Sequence, residues 1–393
     1  MKIALVSAFL EDEVYGELLD DNFMENVICK EDHFYHRIAL SLTKNNFSPT
    51  VYYMSEIGKT KEFTHKYGHK IIRIPAKKIR FFHESIVFSR KIIDEILNNQ
   101  ACFIVSGYYV KYKIPDMFDY ILHKVHGKMP IIARWAGGKH EWLFPGRKNI
   151  KKNALRRCDS IICSSDLEKN NLEKIFGIER ENIKLMYNPI DTEQFRPRGI
   201  DEIKDKINFS TEKKYLLYVG RLIEKHGIEL VLDVFKKIVK IRKNLILILI
   251  GDGPMLEQIN KFVLENNLSN FIEIKGRLNH KTISFYYNIS SILFHVGPSG
   301  GVPNVIMESI ASGLPVIASY DSPGNRQVVS EELGTGILIK NGNELESAIV
   351  KILDGELNIS DKSRNVITDF SIENYGKKIK IILDNICNKS NFS

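Results

Sequence analysis

No stretch of the chain approaches the ~18 consecutive apolar residues that a membrane-spanning helix needs, so any membrane contact is expected to be peripheral. The apolar start, residues 2–7, is too short for a secretory signal and soon meets Glu11, Asp12 and Glu13. Cysteine is scarce and unpatterned. Cys29, Cys102, Cys158, Cys163 and Cys387 form no Cys-x-x-Cys pair, which excludes a disulfide miniprotein and argues against a zinc knuckle or redox dithiol. Reduced thiols and a cytoplasmic location are the simplest expectation. Internal repeats and low-complexity tracts are absent, and tryptophan occurs only at Trp135 and Trp142. The charge balance is not extreme: 56 Lys and Arg against 48 Asp and Glu leave +8, enough to favour an anionic ligand or surface. The basic groups sit in no recognisable recognition module, so nucleic acid is not expected as a partner.

What is present is an ordinary soluble composition, 44% hydrophobic and 26% charged, over 393 residues, which suggests two or three domains. Short apolar runs predict strands at residues 2–7, 50–54, 71–75, 102–106, 131–134 and 160–163. Helical spacing falls between them at 33–44, 86–98 and 167–176. A second series predicts strands at 215–219, 245–250, 271–274, 292–294, 315–318 and 336–339. Strands alternating with helices imply parallel βαβ units, hence two doubly wound domains with a hinge near residue 196. The charged piece 201–214 reads as linker and solvated helix, and a last helix is expected over 372–386.

Three segments carry chemistry. The densest runs from Gly297 through Gly300, Gly301, Val302, Pro303 and Asn304 to Glu308 and Ala318: strand end, Gly-rich turn, helix, Gly stop, strand. Gly300 and Gly301 let backbone approach a ligand closely. A helix starting near Pro303 offers N–H groups and a partial positive charge to a diphosphate. Asn304 and Glu308 share a helix face, which suits ribose hydroxyls; a surface glutamate after a flexible turn fits the pattern equally well. The second segment, Tyr218-Val219-Gly220-Arg221-Leu222-Ile223-Glu224-Lys225-His226-Gly227, ends a strand in Gly-Arg and starts a helix after Gly227. Arg221 is placed to pair with phosphate at a strand's carboxyl end, with Lys225 adding a point charge. The third, Gly251-Asp252-Gly253-Pro254, is a tight turn into a helix, and Asn188-Pro189-Ile190-Asp191 with Phe195 closes the first series.

In order and spacing these segments, with Asp369-Phe370-Ser371 before the tail helix, resemble the retaining GT-B glycosyltransferases of family 4. The resemblance implies an α/β GT-B fold: two doubly wound Rossmann-like domains facing a cleft. Residues 1–195 would bind the acceptor, with the tail 370–393 crossing back to them, and 196–369 would bind a nucleotide-sugar donor. It implies a hexosyltransferase-type enzyme (EC 2.4) that moves a sugar to a glycan or lipid-linked acceptor with retention. Arg221 and Lys225 would stabilise the leaving diphosphate. Gly220, Gly300, Gly301, Val302, Pro303 and Asn304 would line the donor, Arg277 and Leu278 would contact the base, and Glu308 would hold the ribose. No metal is expected, since cations and a helix dipole take its place.

The chain departs from that pattern at several positions. The first Glu of the family's Glu-x7-Glu pair falls on Gly300, the usual Lys after the Arg falls on His226, and the His expected near residue 135 is missing from Arg134-Trp135-Ala136-Gly137-Gly138. Acceptor candidates are Trp135, Gly137 and His140; core packing of the indole is the competing reading. Basic residues crowd the same half, from Arg73, Lys77, Lys78 and Arg80 to Arg147, Lys148, Lys151, Lys152, Arg156 and Arg157, a pattern suited to anionic lipid or to a solvated face. Two alternatives share the architecture: a nucleotide-sugar epimerase, which needs an acid/base pair near the sugar, and a non-catalytic scaffold or binding protein that kept the fold.

Overall fold

The computed structural model describes residues 1–10, 12, 17–81, 84–105, 116–135, 145–298, 301–357 and 361–389. The chain divides into two compact units, Met1–Pro189 with Ile372–Ser393, and Ile190–Ser371. The divisions fall a few residues from the expected boundaries at 195/196 and 369/370. They lie where the chain enters and leaves the second unit: Ile190 N–H donates to the Phe370 carbonyl at 2.8 Å and pairs with Ser371 in a parallel bridge.

The first unit is built on β1 (Lys2–Leu10), β2 (Ser48–Ser55), β3 (Lys61–Thr64), β4 (Lys70–Pro75), β7 (Ala101–Val105), β8 (Ile131–Trp135), β9 (Ser160–Cys163) and β10 (Ile183–Leu185), in the order β10-β9-β8-β7-β1-β2-β4-β3. Only the β3–β4 pair is antiparallel. β5 (Lys77–Phe81) and β6 (Glu84–Phe88) form a separate antiparallel hairpin. This corrects the helix expected over 86–98: Ile86–Phe88 belong to the hairpin, and the helix is confined to Lys91–Leu97. A short apolar run of this kind does not by itself distinguish a strand from a helix segment.

The named helices of this unit are α1 (Phe34–Lys44), α2 (Met117–Val125) and α3 (Pro145–Leu155), and the chain ends in α7 (Ile372–Lys389). Strands such as β8 are buried at every residue, as expected of a parallel sheet covered on both faces. No helix among the described residues is long and apolar enough to cross a membrane.

The second unit has β11 (Lys214–Val219), β12 (Leu245–Ile250), β13 (Ile272–Gly276), β14 (Ser290–His295), β15 (Val316–Ser319) and β16 (Gly336–Ile339), all parallel, ordered β13-β12-β11-β14-β15-β16. Three of its helices concern the site: α4 (Ile228–Ile241), α5 (His280–Ile289) and α6 (Asn304–Ala311). From β11 the chain winds outward to β13, crosses back, and winds the other way from β14. The crossovers therefore diverge between β11 and β14, and the gap at the strands' carboxyl ends there is where such sheets bind ligands.

The tail helix α7 returns to the first unit and buries Tyr375, Ile379, Ile382, Leu383 and Ile386 in the cluster that holds Ile38 and Leu42 of α1. Gly376 makes the approach possible: a Cβ there would lie 2.3 Å from the Ser41 carbonyl oxygen of α1. Gly376→Ala sets two effects against each other. Alanine improves helix propensity by about 1 kcal/mol, whereas forcing packed backbones apart costs about 1–3 kcal/mol. The clash is with backbone and should win, so the variant is expected to unfold at lower urea. Equal or higher stability would mean that α7 is not seated on α1.

Candidate functional site

The two strands flanking the divergence carry the two strongest sequence motifs. After β11 the chain turns through Gly220 and Arg221 into α4. Tyr218 Oη donates to the Arg221 carbonyl at 3.1 Å, and His226 Nδ1 donates to the same oxygen at 3.0 Å. These bonds fix the loop backbone and leave the Arg221 and Lys225 side chains exposed. Burial holds the His226 pKa below the usual histidine range. A neutral His226 serves as a loop brace and supplies no charge where the family has lysine, which leaves Lys225 as the second cation of this loop.

After β14 the chain runs through Gly297 to α6. A Cβ on Gly297 would lie 2.4 Å from His226 Cα, so the two loops touch backbone to backbone. Gly324 plays the same part beneath Gly301, whose carbonyl carbon would lie 2.3 Å from a Cβ there. Pro303, the residue before α6, has extended backbone and makes no side-chain capping hydrogen bond. Val302, Pro303 and Asn304 are half-buried around it. Gly300 lies outside the described residues.

Glu308 does not face solvent. It is 2% exposed, accepts a hydrogen bond from Tyr287 Oη of α5 at 3.2 Å, and has His280 Nε2 at 3.9 Å. Phe195 packs edge-on against Tyr287 and His280, with ring centroids 6.0 and 6.4 Å apart. The Phe195 position of the Asn188–Asp191 motif therefore supports the tyrosine that orients the carboxylate. Sequence reading assigned no role to Tyr287 or His280, which lie a whole element away from Glu308 and carry no local signal. It also passed over His295, the last residue of β14. Its Nδ1 is buried without a hydrogen-bond partner, and burial, with His226 adding to the effect, pushes its pKa down to about 4.

At the end of β13, Lys275 pairs with Glu273 at 2.8 Å, and the largely exposed Arg277 lies 3.6 Å from Asp252. Leu278 beside it is half-buried, and Gly251 N–H donates to the Gly276 carbonyl at 2.8 Å, tying this stretch to the Gly251–Pro254 turn.

The first unit corrects several expectations. Trp135 is 1% exposed, its indole N–H donates to Glu168 at 2.9 Å, and Phe118 and Phe176 pack on its rings. Core packing thus accounts for it, and no ring face is open to an acceptor. Gly137 and His140 lie outside the described residues. Arg73 is also buried, bonded to the Leu19 carbonyl and to Asp21 at 2.9 Å. Arg147 and Lys151 are spent internally on Asp116 and Asp119. Among the basic residues, Lys77, Lys148 and Arg156 are exposed. All five cysteines are unpaired.

Comparison with known proteins agrees with this geometry. Residues 33–194 match the family described as Glycosyltransferase Family 4, and residues 199–375 match Glycosyl transferases group 1. An uncharacterized glycosyltransferase of Haemophilus influenzae is 30% identical over 58% of this chain and 62% of its own length, so the chain spans about three fifths of that relative. Alpha-monoglucosyldiacylglycerol synthase of Streptococcus pneumoniae is 22% identical over 79% of this chain and 73% of its own. The solved structure of HepE from Anabaena in complex with UDP shares the fold with a TM-score of 0.70 at 13% identity, covering 98% of this chain and 100% of that one. With both halves matched in order and both units parallel and doubly wound, the chain belongs to the GT-B glycosyltransferases of the family-4 kind.

Proposed function

We propose that the protein is a retaining hexosyltransferase that moves a sugar from a nucleoside-diphosphate donor to a glycan or lipid-linked acceptor, on the cytoplasmic side of a membrane and without a catalytic metal. The observation that carries this reading is the pairing at the β11/β14 divergence. One loop brings the exposed Arg221 and Lys225, and the loop touching it brings the start of α6 and a buried, tyrosine-held carboxylate. Arg221 and Lys225 stabilise the departing diphosphate, which rests on the start of α6. Glu308 accepts hydrogen bonds from the ribose hydroxyls, and the stretch at Arg277 and Leu278 flanks the base. The acceptor hydroxyl attacks the anomeric carbon from the face that the diphosphate leaves, and its proton passes to the departing phosphate oxygen. Attack on that face retains the configuration. An epimerase lacks support here, because Gly300 stands where the family's pattern has the first glutamate of its pair.

UDP bound to the HepE relative makes uridine donors the first to test. A thermal-shift screen against UDP-, GDP- and ADP-sugars should pick out one nucleotide, and turnover assays should follow with it. Absence of any response favours a non-catalytic scaffold. Arg221→Ala should reduce turnover by roughly ten- to a hundredfold, the loss of a charge-assisted contact worth about 1.5–3 kcal/mol. Its melting temperature should stay unchanged, because the side chain is exposed. Near-normal turnover would reduce Arg221 to a surface charge.

The name of the pneumococcal relative points to a lipid acceptor, and the exposed Lys77, Lys148 and Arg156 suit an anionic surface. Because Arg73, Arg147 and Lys151 are buried, the attraction rests on fewer charges than the sequence offers. Sedimentation with phosphatidylglycerol vesicles should therefore show weak binding that salt abolishes. Equal recovery on neutral and anionic vesicles would remove the membrane from the account.

A further inference from the structure

Three histidines of the first unit, none of them assigned a part in sugar transfer, meet at one point. His36 lies in the first turn of α1, and His65 and His69 flank the turn joining β3 to β4. All three are buried, at 0%, 2% and 4% exposure. His36 Nδ1 and His69 Nε2 are 2.9 Å apart, and one ring nitrogen from each of the three lies within 4.8 Å of the others. The rings lie close to parallel, with His65 3.9 Å from His36 and 4.5 Å from His69 between centroids.

Hydrogen bonding accounts for all but one of the six ring nitrogens. His65 is satisfied: the Tyr67 amide donates to Nδ1, and Nε2 donates to the Glu31 carbonyl. His36 and His69 share one proton between them, and Tyr53 Oη meets His36 Nε2 at 3.2 Å. His69 Nδ1 is then left buried without a partner in either tautomer. A buried polar atom left without a partner is destabilising. Charge does not hold the cluster together. Burial keeps His36 well below the usual histidine range, His65 near 4 and His69 near 2, against the opposing pull of Asp32 on His36 and His65 and with Lys66 and His33 nearby. The geometry, three buried ring nitrogens within 4.8 Å of one another, is that of a ligand cluster.

We propose that His36, His65 and His69 supply three ligands to a divalent transition ion of the zinc type, with a water in the fourth position of the tetrahedron. Bonds of about 2.0–2.1 Å in tetrahedral geometry set ligand nitrogens roughly 3.3 Å apart. The 2.9 Å pair needs to open by only a few tenths of an ångström, with the ion replacing the shared proton. His65 turns inward and gives up one of its two backbone bonds. His36 Nε2–H then faces Tyr53 Oη and the Glu31 carboxylate, whose Oε1 is 3.6 Å away, the outer-shell arrangement that orients ligating histidines. The ion clips the β3–β4 turn to the start of α1. That turn already holds the segment before the helix, because Lys66 N–H donates to the Cys29 carbonyl at 2.8 Å. The site is independent of the proposed transfer reaction and fails or stands apart from it.

The test uses the full chain, stripped with chelator and titrated with ZnCl2 by calorimetry, and with CoCl2 by visible spectroscopy. One equivalent of Zn2+ should bind and raise the melting temperature. Co2+ should give the intense bands of a tetrahedral site, which Zn2+ bleaches. Hydrogen exchange should slow in residues 29–37 and 61–70. His69→Gln and His65→Asn should each lower Zn2+ affinity at least a hundredfold. Should either variant not fold, hyperfine-shifted imidazole N–H signals from the Co2+-loaded wild-type protein decide the matter. Absence of stoichiometric binding, binding that survives both substitutions, or Co2+ without imidazole signals overturns the proposal.

Discussion

A parallel strand can be followed only by a crossover, and a sheet wound in both directions from its middle must leave one place where neighbouring crossovers part. In the second unit that place lies between β11 and β14. The features proposed to bind the donor follow from it. The loops after these two strands are forced together, and they meet so closely that glycine is required at Gly297. The same divergence points the starts of α4 and α6 toward the gap, where the positive ends of the helix dipoles favour an anion.

The carboxylate is the second consequence. Glu308 sits one turn into α6, on the side that faces α5, and it is buried. A buried carboxylate needs hydrogen bonds, and Tyr287 supplies one. Tyr287 is in turn seated by Phe195, near the point where the chain enters the unit. A chain of contacts therefore runs from Phe195 through Tyr287 to the Glu308 carboxylate, which gives the phenylalanine of that motif a supporting role.

Much of this was legible in the sequence because parallel strands covered on both faces read as plain apolar runs. Leu245–Ile250, an unbroken Leu/Ile run, needed no context. β3 did not announce itself, since only Phe63 of its four residues is buried. The β5–β6 hairpin was missed because its two short strands, Lys77–Phe81 and Glu84–Phe88, mix charged and apolar residues without a strict alternation. Basic residues misled most: Arg73, Arg147 and Lys151 look like surface charge, yet carboxylates more than 25 positions away draw the last two inside. The ligand for the Glu308 carboxylate was equally hidden, because Tyr287 meets it only through the packing of α5 on α6. The histidine cluster left a partial trace, two histidines four residues apart in a turn, but its third member is on another element.

The central claim is that the Glu308 carboxylate grips the ribose of the donor. The most direct measurement compares the preferred nucleoside diphosphate with its 2′,3′-dideoxy analogue by calorimetry, in the wild-type protein and in Glu308→Gln. The account predicts that removing the hydroxyls costs the wild type about 1–3 kcal/mol of affinity and costs the near-isosteric variant much less. An equal penalty in both proteins, or none in the wild type, would contradict it.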